Sequence, residues 1–201
     1  MSTPTVQRLG MALDDYMQRY VDEGRFEIID GDVLYLSPHA SEHGLIVRWL
    51  FVKLFQFLTG NPDWEVFQKL AFAQIDWGTP EASNWVKGAL EPDIMVVSKM
   101  KLAESRAARP DWRRWPVTIV PALVIEVVSP SDRYKEIMDK IAAYLRLGVT
   151  MIWLIDPHQR TVNMYEPGKS APTVIHGDLP LVAADVLPGL SLSLAELFDA
   201  Q

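Results

Sequence analysis

A chain of 201 residues with 49% hydrophobic and 22% charged content has apolar material for one sizeable core, so a single domain over 1–201 is expected. It has no cysteine, which excludes disulfides, thiolate metal sites and a cysteine nucleophile. A net charge of −7 argues against a protein that simply coats nucleic acid.

Residues 1–10 read as a loose tail, and Asp14, Asp15, Gln18 and Arg19 break up any secretory signal. Met11–Asp22 has helical spacing and Gly24 ends it. Phe26–Ile29, Asp30-Gly31 and Asp32–Leu36 form a hairpin signal, because Asp-Gly tolerates the positive φ of a tight turn. Glu27 should project from the face opposite Phe26 and Ile28, where a plain core would not want an acid. Ser37-Pro38 breaks the chain before a long helix from about His39 to Thr59. Apolar residues wrap much of that helix, which predicts deep packing. Its greasiest part is short for a membrane span and contains Arg48 and Lys53, so no membrane partner and a cytoplasmic location are expected. His43, near the helix start, is the kind of lone histidine that usually makes a local hydrogen bond.

Trp64–Ile75 is strand-like, and Asp76–Ala89, with Gly78, Pro80, Ser83, Asn84 and Gly88, reads as a loop. Glu91-Pro92-Asp93 then leads into a short buried strand, Ile94–Val97. Between Lys99 and Arg114 the chain carries +4, leaving −11 for the remainder. Trp112 and Trp115 alternate there with Arg106, Arg109, Arg113 and Arg114, a combination suited to phosphates and stacked bases. A solvated loop with packing tryptophans accounts for the same residues.

Pro121–Gly148 reads as a buried strand, a Ser-Pro turn and an amphipathic helix. Glu126 interrupts the apolar run Leu123–Val128, so either a cation meets it or its pKa is pushed up. Glu136, Lys140 and Tyr144 share one helix stripe beside Ile137, Ile141 and Leu145, so Lys140 can supply that cation. A purely structural Glu–Lys pair explains the stretch equally well. Val149–Ile155, which includes the core residue Trp153, completes a strand–helix–strand crossover. Thr161–Tyr165 and Thr173–Ile175 follow as antiparallel strands, and Leu187–Phe198 ends in a short docking helix. The fold class is α/β or α+β, a mixed sheet flanked by helices with an N-terminal helix and β-hairpin.

Carboxylates at positions 27, 93 and 126 on or beside strands suit an oxygen-ligand site for Mg²⁺. A lysine beside them can orient or deprotonate the attacking water, or steady negative charge developing on phosphorus. There is no Gly-rich phosphate loop, no G-x-S-x-G elbow and no H-E-x-x-H motif. His39, His43, His158 and His176 lack zinc-ligand spacing.

The series FEIIDG, a histidine in the following helix, EPDIMVV, PALVIEVVSPS, KIAAY and GVTMIWLIDP resembles the Uma-type restriction endonucleases of the PD-(D/E)XK nuclease superfamily. The likeness runs in order from about residue 10 to the LPGLSLSLAELF tail. It implies a restriction-endonuclease-like core with Asp93 and Glu126 as ligands of Mg²⁺ or Mn²⁺ and Glu27 as an additional acid, ligand or partner. Val128 stands where the superfamily usually has lysine, and the resemblance assigns that role to Lys140 on the next helix. Glu136 replaces an aspartate common among relatives, His43 matches a common histidine, and Tyr144 belongs to the lysine motif. A metal-dependent endonuclease acting on DNA, and a homodimer, are the expectations so implied. The alternative is a nuclease-like scaffold that binds nucleic acid or a protein partner without turnover.

Overall fold

The computed structural model describes residues 9–36, 41–78 and 84–199. Ser37-Pro38, the expected helix start at His39, Pro80, Ser83 and most of the N-terminal tail lie outside these residues. The chain opens with β1 (Met11–Ala12), α1 (Leu13–Glu23), β2 (Phe26–Ile29) and β3 (Asp32–Tyr35), followed by α2 (Ser41–Leu58). The hairpin forms as expected, with Asp30 at φ 51° and Gly31 at φ 90° in its turn. Next come β4 (Trp64–Gln68), β5 (Phe72–Asp76), β6 (Trp85–Leu90), β7 (Ile94–Ser98) and α3 (Lys99–Ala108). The second half holds β8 (Leu123–Val127), α4 (Tyr134–Leu147), β9 (Met151–Asp156), β10 (Thr161–Tyr165) and β11 (Thr173–His176). It closes with β12 (Leu181–Ala183), β13 (Leu187–Leu192) and α5 (Leu194–Phe198).

Among the described residues the central sheet has the order β11-β10-β9-β8-β7-β4. Only β8 and β9 are parallel in it, joined by the expected crossover through α4. The two faces of the sheet are buried differently. Ile94, Val96, Leu123, Ile125 and Trp153 face α2 through Leu50 and Leu54, while Met95, Val97, Val124 and Ile152 face α4 through Ile141 and Tyr144. Continuous apolar strands follow from this double cover. Gly148, left-handed at φ 91°, stops α4: its N–H and that of Val149 donate to the carbonyls of Leu145 and Tyr144. That turn delivers the chain into β9 beside β8.

Four readings need correction. Trp64–Ile75 is two strands in two sheets, because Lys69 takes a left-handed conformation (φ 48°) and turns the chain. Much of the expected loop 76–89 is strand β6, which pairs with β1, β2 and β5 and buries Val86, Ala89 and Leu90. Gly88 reads as a turn residue but sits inside that strand, where Gln74 faces it across the pairing with β5. The long helix is packed on one side only: Leu50 and Leu54 are fully buried, but Phe55 remains 58% exposed and Val52 42%. Residues 99–108 of the basic segment are helical, not a solvated loop, with Ser98 capping the first turn by accepting from the Lys101 N–H. Among the described residues no helix is long and apolar enough to cross a membrane.

Candidate active site

Strand register brings the first two acids together. Ile94 pairs with Ile125 in the antiparallel β7–β8 ladder, so Asp93 and Glu126, one step further along, stand opposite each other on the α4 face. The Asp93 side chain takes over where the ladder stops, its Oδ2 accepting from the Val127 N–H at 2.9 Å. His43 Nε2, reaching in from α2, lies 2.9 Å from the same oxygen. A carboxylate only accepts, so Nε2 carries the proton of this bond.

Glu27 comes from the hairpin, on the side of β2 opposite Phe26 and Ile28, as alternation predicted. Its Oε1 accepts from the Glu91 N–H at 2.8 Å and meets Lys140 Nζ at 3.1 Å. Lys140 Nζ is also 2.9 Å from Glu126 Oε1, which accepts a short hydrogen bond from the Tyr144 hydroxyl. Lys140 and Tyr144, one helical turn apart, therefore grip one carboxylate, and Tyr144 is itself stacked on Phe72. The i, i+4 stripe read from sequence is the stripe that meets Glu126.

Glu27, Asp93, Glu126 and Lys140 line one cavity of about 110 Å³, with Glu136 and Asp132 at its rim. Glu136 is half exposed and pairs with Arg133. The loop entering α4 is tied by Asp132, whose Oδ2 accepts from the Ser129 N–H. Arg106, Arg109 and Arg113 line a different cavity, and Arg114 lies beside it on Trp115, so the structure does not bring the arginines to the acids.

Three carboxylates face one ammonium here. Burial raises Glu126 to about 8, helped by the charges of Asp93 and Glu27 and opposed by Lys140 and the Tyr144 hydroxyl. Burial also pushes Asp93 up, but the His43 bond and charge, the Val127 N–H and the Lys140 charge together outweigh it and hold Asp93 below the ordinary carboxylate range. For Lys140 burial favours the neutral amine, yet Glu126 and Glu27 overcome it and hold the ammonium above its usual pKa. Both outcomes anticipated for Glu126 therefore occur together: it meets a cation and its pKa rises.

Glu91 escaped the sequence reading. It is buried, its backbone N–H holds Glu27, and its carboxylate accepts from Tyr20 and Arg25. The signal was there in the run Glu91-Pro92-Asp93, an acid next to a buried one.

Tyr144→Phe tests the grip on Glu126. It keeps the ring on Phe72 but removes one hydrogen bond, and should cost about 1–2 kcal/mol in urea denaturation. Because that hydroxyl lowers Glu126, the carboxyl should also titrate higher in the variant, measurable by NMR.

The family sequence model described as Uma2, putative restriction endonuclease, matches residues 13–195. The chain belongs to the Uma2 family. A crystal structure described as a putative nuclease belonging to DUF820, from Anabaena variabilis, is similar in fold at a TM-score of 0.75. It is 21% identical, over 94% of this chain and 97% of that one. No curated protein matches this chain. The matched residues include every element that contributes to the cavity, from β2 to β9.

Proposed function

We propose that this Uma2 protein is a divalent-metal-dependent endonuclease that hydrolyses phosphodiester bonds of DNA. The observation that carries the proposal is the cavity where Asp93, Glu126 and Glu27 outnumber Lys140 and Glu126 is pushed towards its protonated form. Such a site is short of positive charge. Among the described residues no three acidic or histidine side chains close into a metal cage. Mg²⁺ needs none, because it commonly takes one or two carboxylates and completes its shell with water and substrate phosphate.

Asp93 and Glu126 would hold the ion, since the bonds described use Oδ2 of Asp93 and Oε1 of Glu126 and leave each its other oxygen. Bound there, Mg²⁺ or Mn²⁺ supplies Lewis acidity for the phosphoryl oxygen and for the attacking water. His43 and the Val127 N–H fix Asp93 in its ionised form. Lys140 stays an ammonium, so its part is to orient water and stabilise negative charge developing on phosphorus, not to take a proton. Glu27, set by Glu91, holds Lys140 in line. Cleaving both strands of DNA calls for two such sites, which favours a homodimer.

Isothermal titration of Mn²⁺ and Mg²⁺ into the protein and its Asp93→Asn variant tests this reading. The wild type should bind an ion that the variant loses, with plasmid nicking lost in parallel. No binding by the wild type would leave Glu126 and Lys140 as a structural pair and favour the silent scaffold.

A further inference from the structure

A second cavity, of about 270 Å³, opens beside α3 and the short 3₁₀ turn at Trp112–Arg114. Trp77, Trp112, Trp115, Arg106, Arg109 and Arg113 wall it. The Arg109 guanidinium lies 3.6 Å from the Trp77 ring centroid, and those of Arg106 and Arg113 lie 4.2 and 4.7 Å from that of Trp112. Each stack occupies one flat face of its guanidinium and leaves the N–H edges for other partners.

Those edges are unused. Among the described residues Arg106, Arg109, Arg113 and Arg114 make no ion pair, and neither does Arg48 on α2, whereas Arg19, Arg25, Arg133, Arg146 and Arg160 each meet a carboxylate. Arg106 Nε is shielded from solvent and has no hydrogen-bond partner among the described residues. An acidic chain thus keeps unpaired cations, from a segment of charge +4, around one aromatic cavity. Its volume falls below the roughly 300–1,000 Å³ of a drug-sized ligand site, so it admits one flat ring system and not a base pair. Bases stack on guanidinium planes as readily as on aromatic rings, provided they are unpaired.

We propose that this cavity receives an unpaired nucleobase of a single-stranded polynucleotide, layered on the arginine–tryptophan stacks, with flanking phosphates held by the edges of Arg109 and Arg113. The inference rests on the nuclease reading for its biological sense and narrows the substrate to nucleic acid with unpaired residues. Binding itself requires neither metal nor cleavage.

Fluorescence anisotropy in EDTA, with the intact protein and a labelled oligodeoxynucleotide of about 16 residues, tests it. The single strand should bind more tightly than its duplex, and Trp112→Ala should weaken that binding by about tenfold or more. Trp112→Phe, which keeps a stacking ring, should recover most of the loss. Arg113→Ala should reduce the slope of log affinity against log salt by about one. If Trp112→Ala does not fold, the exposed Arg113 variant and Trp112→Phe carry the test. The same oligomer with ribose is titrated in parallel, and loss of whichever strand binds upholds the proposal. Equal affinity for duplex, unaltered binding in both Trp112→Ala and Arg113→Ala, or equal competition by a polyglutamate peptide would overturn it. Adding Mn²⁺ separates the two proposals. Strand binding without cleavage sinks the nuclease and leaves this cavity, while cleavage with unaltered Trp112-variant binding does the reverse.

Discussion

Replacing Lys140 with methionine should abolish phosphodiester cleavage and lower the stability of the fold by about 3–5 kcal/mol. Methionine keeps the length and apolar stem of the side chain, so packing beside Ile137 and Ile141 is largely preserved and the lost charge is what is measured. Lys140 is the ammonium shared by Glu126 and Glu27, both largely hidden from solvent. Removing one partner of a buried pair leaves the other charge uncompensated, which costs more than the pair itself contributed. The deficit depends on pH in a way that identifies its source. Glu126 already holds its proton up to about 8, so below that pH it stays neutral in both proteins and the variant suffers less. Above 8 the wild type ionises Glu126 against Lys140, whereas the variant must keep the proton or bury a bare carboxylate. Urea denaturation at pH 6 and pH 9 should therefore show a larger gap between the two proteins at pH 9. An equal gap at both would mean that the Lys140 charge acts through Glu27 and not through Glu126.

The parts of this site differ in how far they could be read in advance. Glu126 and Glu27 were legible because each interrupts an apolar strand, and a buried charge without explanation is informative wherever it falls. Lys140 was legible through helical spacing from Tyr144 beside an apolar stripe. That Asp93 faces Glu126 followed from the resemblance but from neither strand, since it depends on the pairing of Ile94 with Ile125, and register belongs to the sheet and not to either strand. The same limit hid β6: Trp85–Leu90 pairs with three distant strands, and Gly88 looked like a breaker until its partners were in place. Lys69 shows a different failure. Nothing in its side chain announces a left-handed backbone, yet that one residue sends β4 and β5 to different sheets. His43 looked local but bonds Asp93 fifty positions away, a contact only the α2 packing could reveal.

Metal affinity should fall about tenfold for each pH unit below about 8 and level off above it, because an ion on Glu126 must displace one proton. At pH 7 each Mn²⁺ bound should release close to one proton, which titration calorimetry detects as a heat that varies with the ionisation enthalpy of the buffer. Stability of the metal-free protein carries the opposite sign. The Glu126 pKa is raised from its ordinary 4.5, so its contribution is complete below 4.5 and is lost as pH climbs through about 8. The Asp93 pKa is lowered from 3.8, so its contribution is present above 3.8 and disappears only as pH falls through the lower value. The two acids thus favour mildly acidic solution for the empty site, while the ion prefers alkaline solution. Saturating Mn²⁺ should consequently raise the melting temperature more at pH 8.5 than at pH 6. Affinity that does not change between pH 6 and 8 would remove Glu126 from the ligand set and leave Asp93 as the acid that holds the ion.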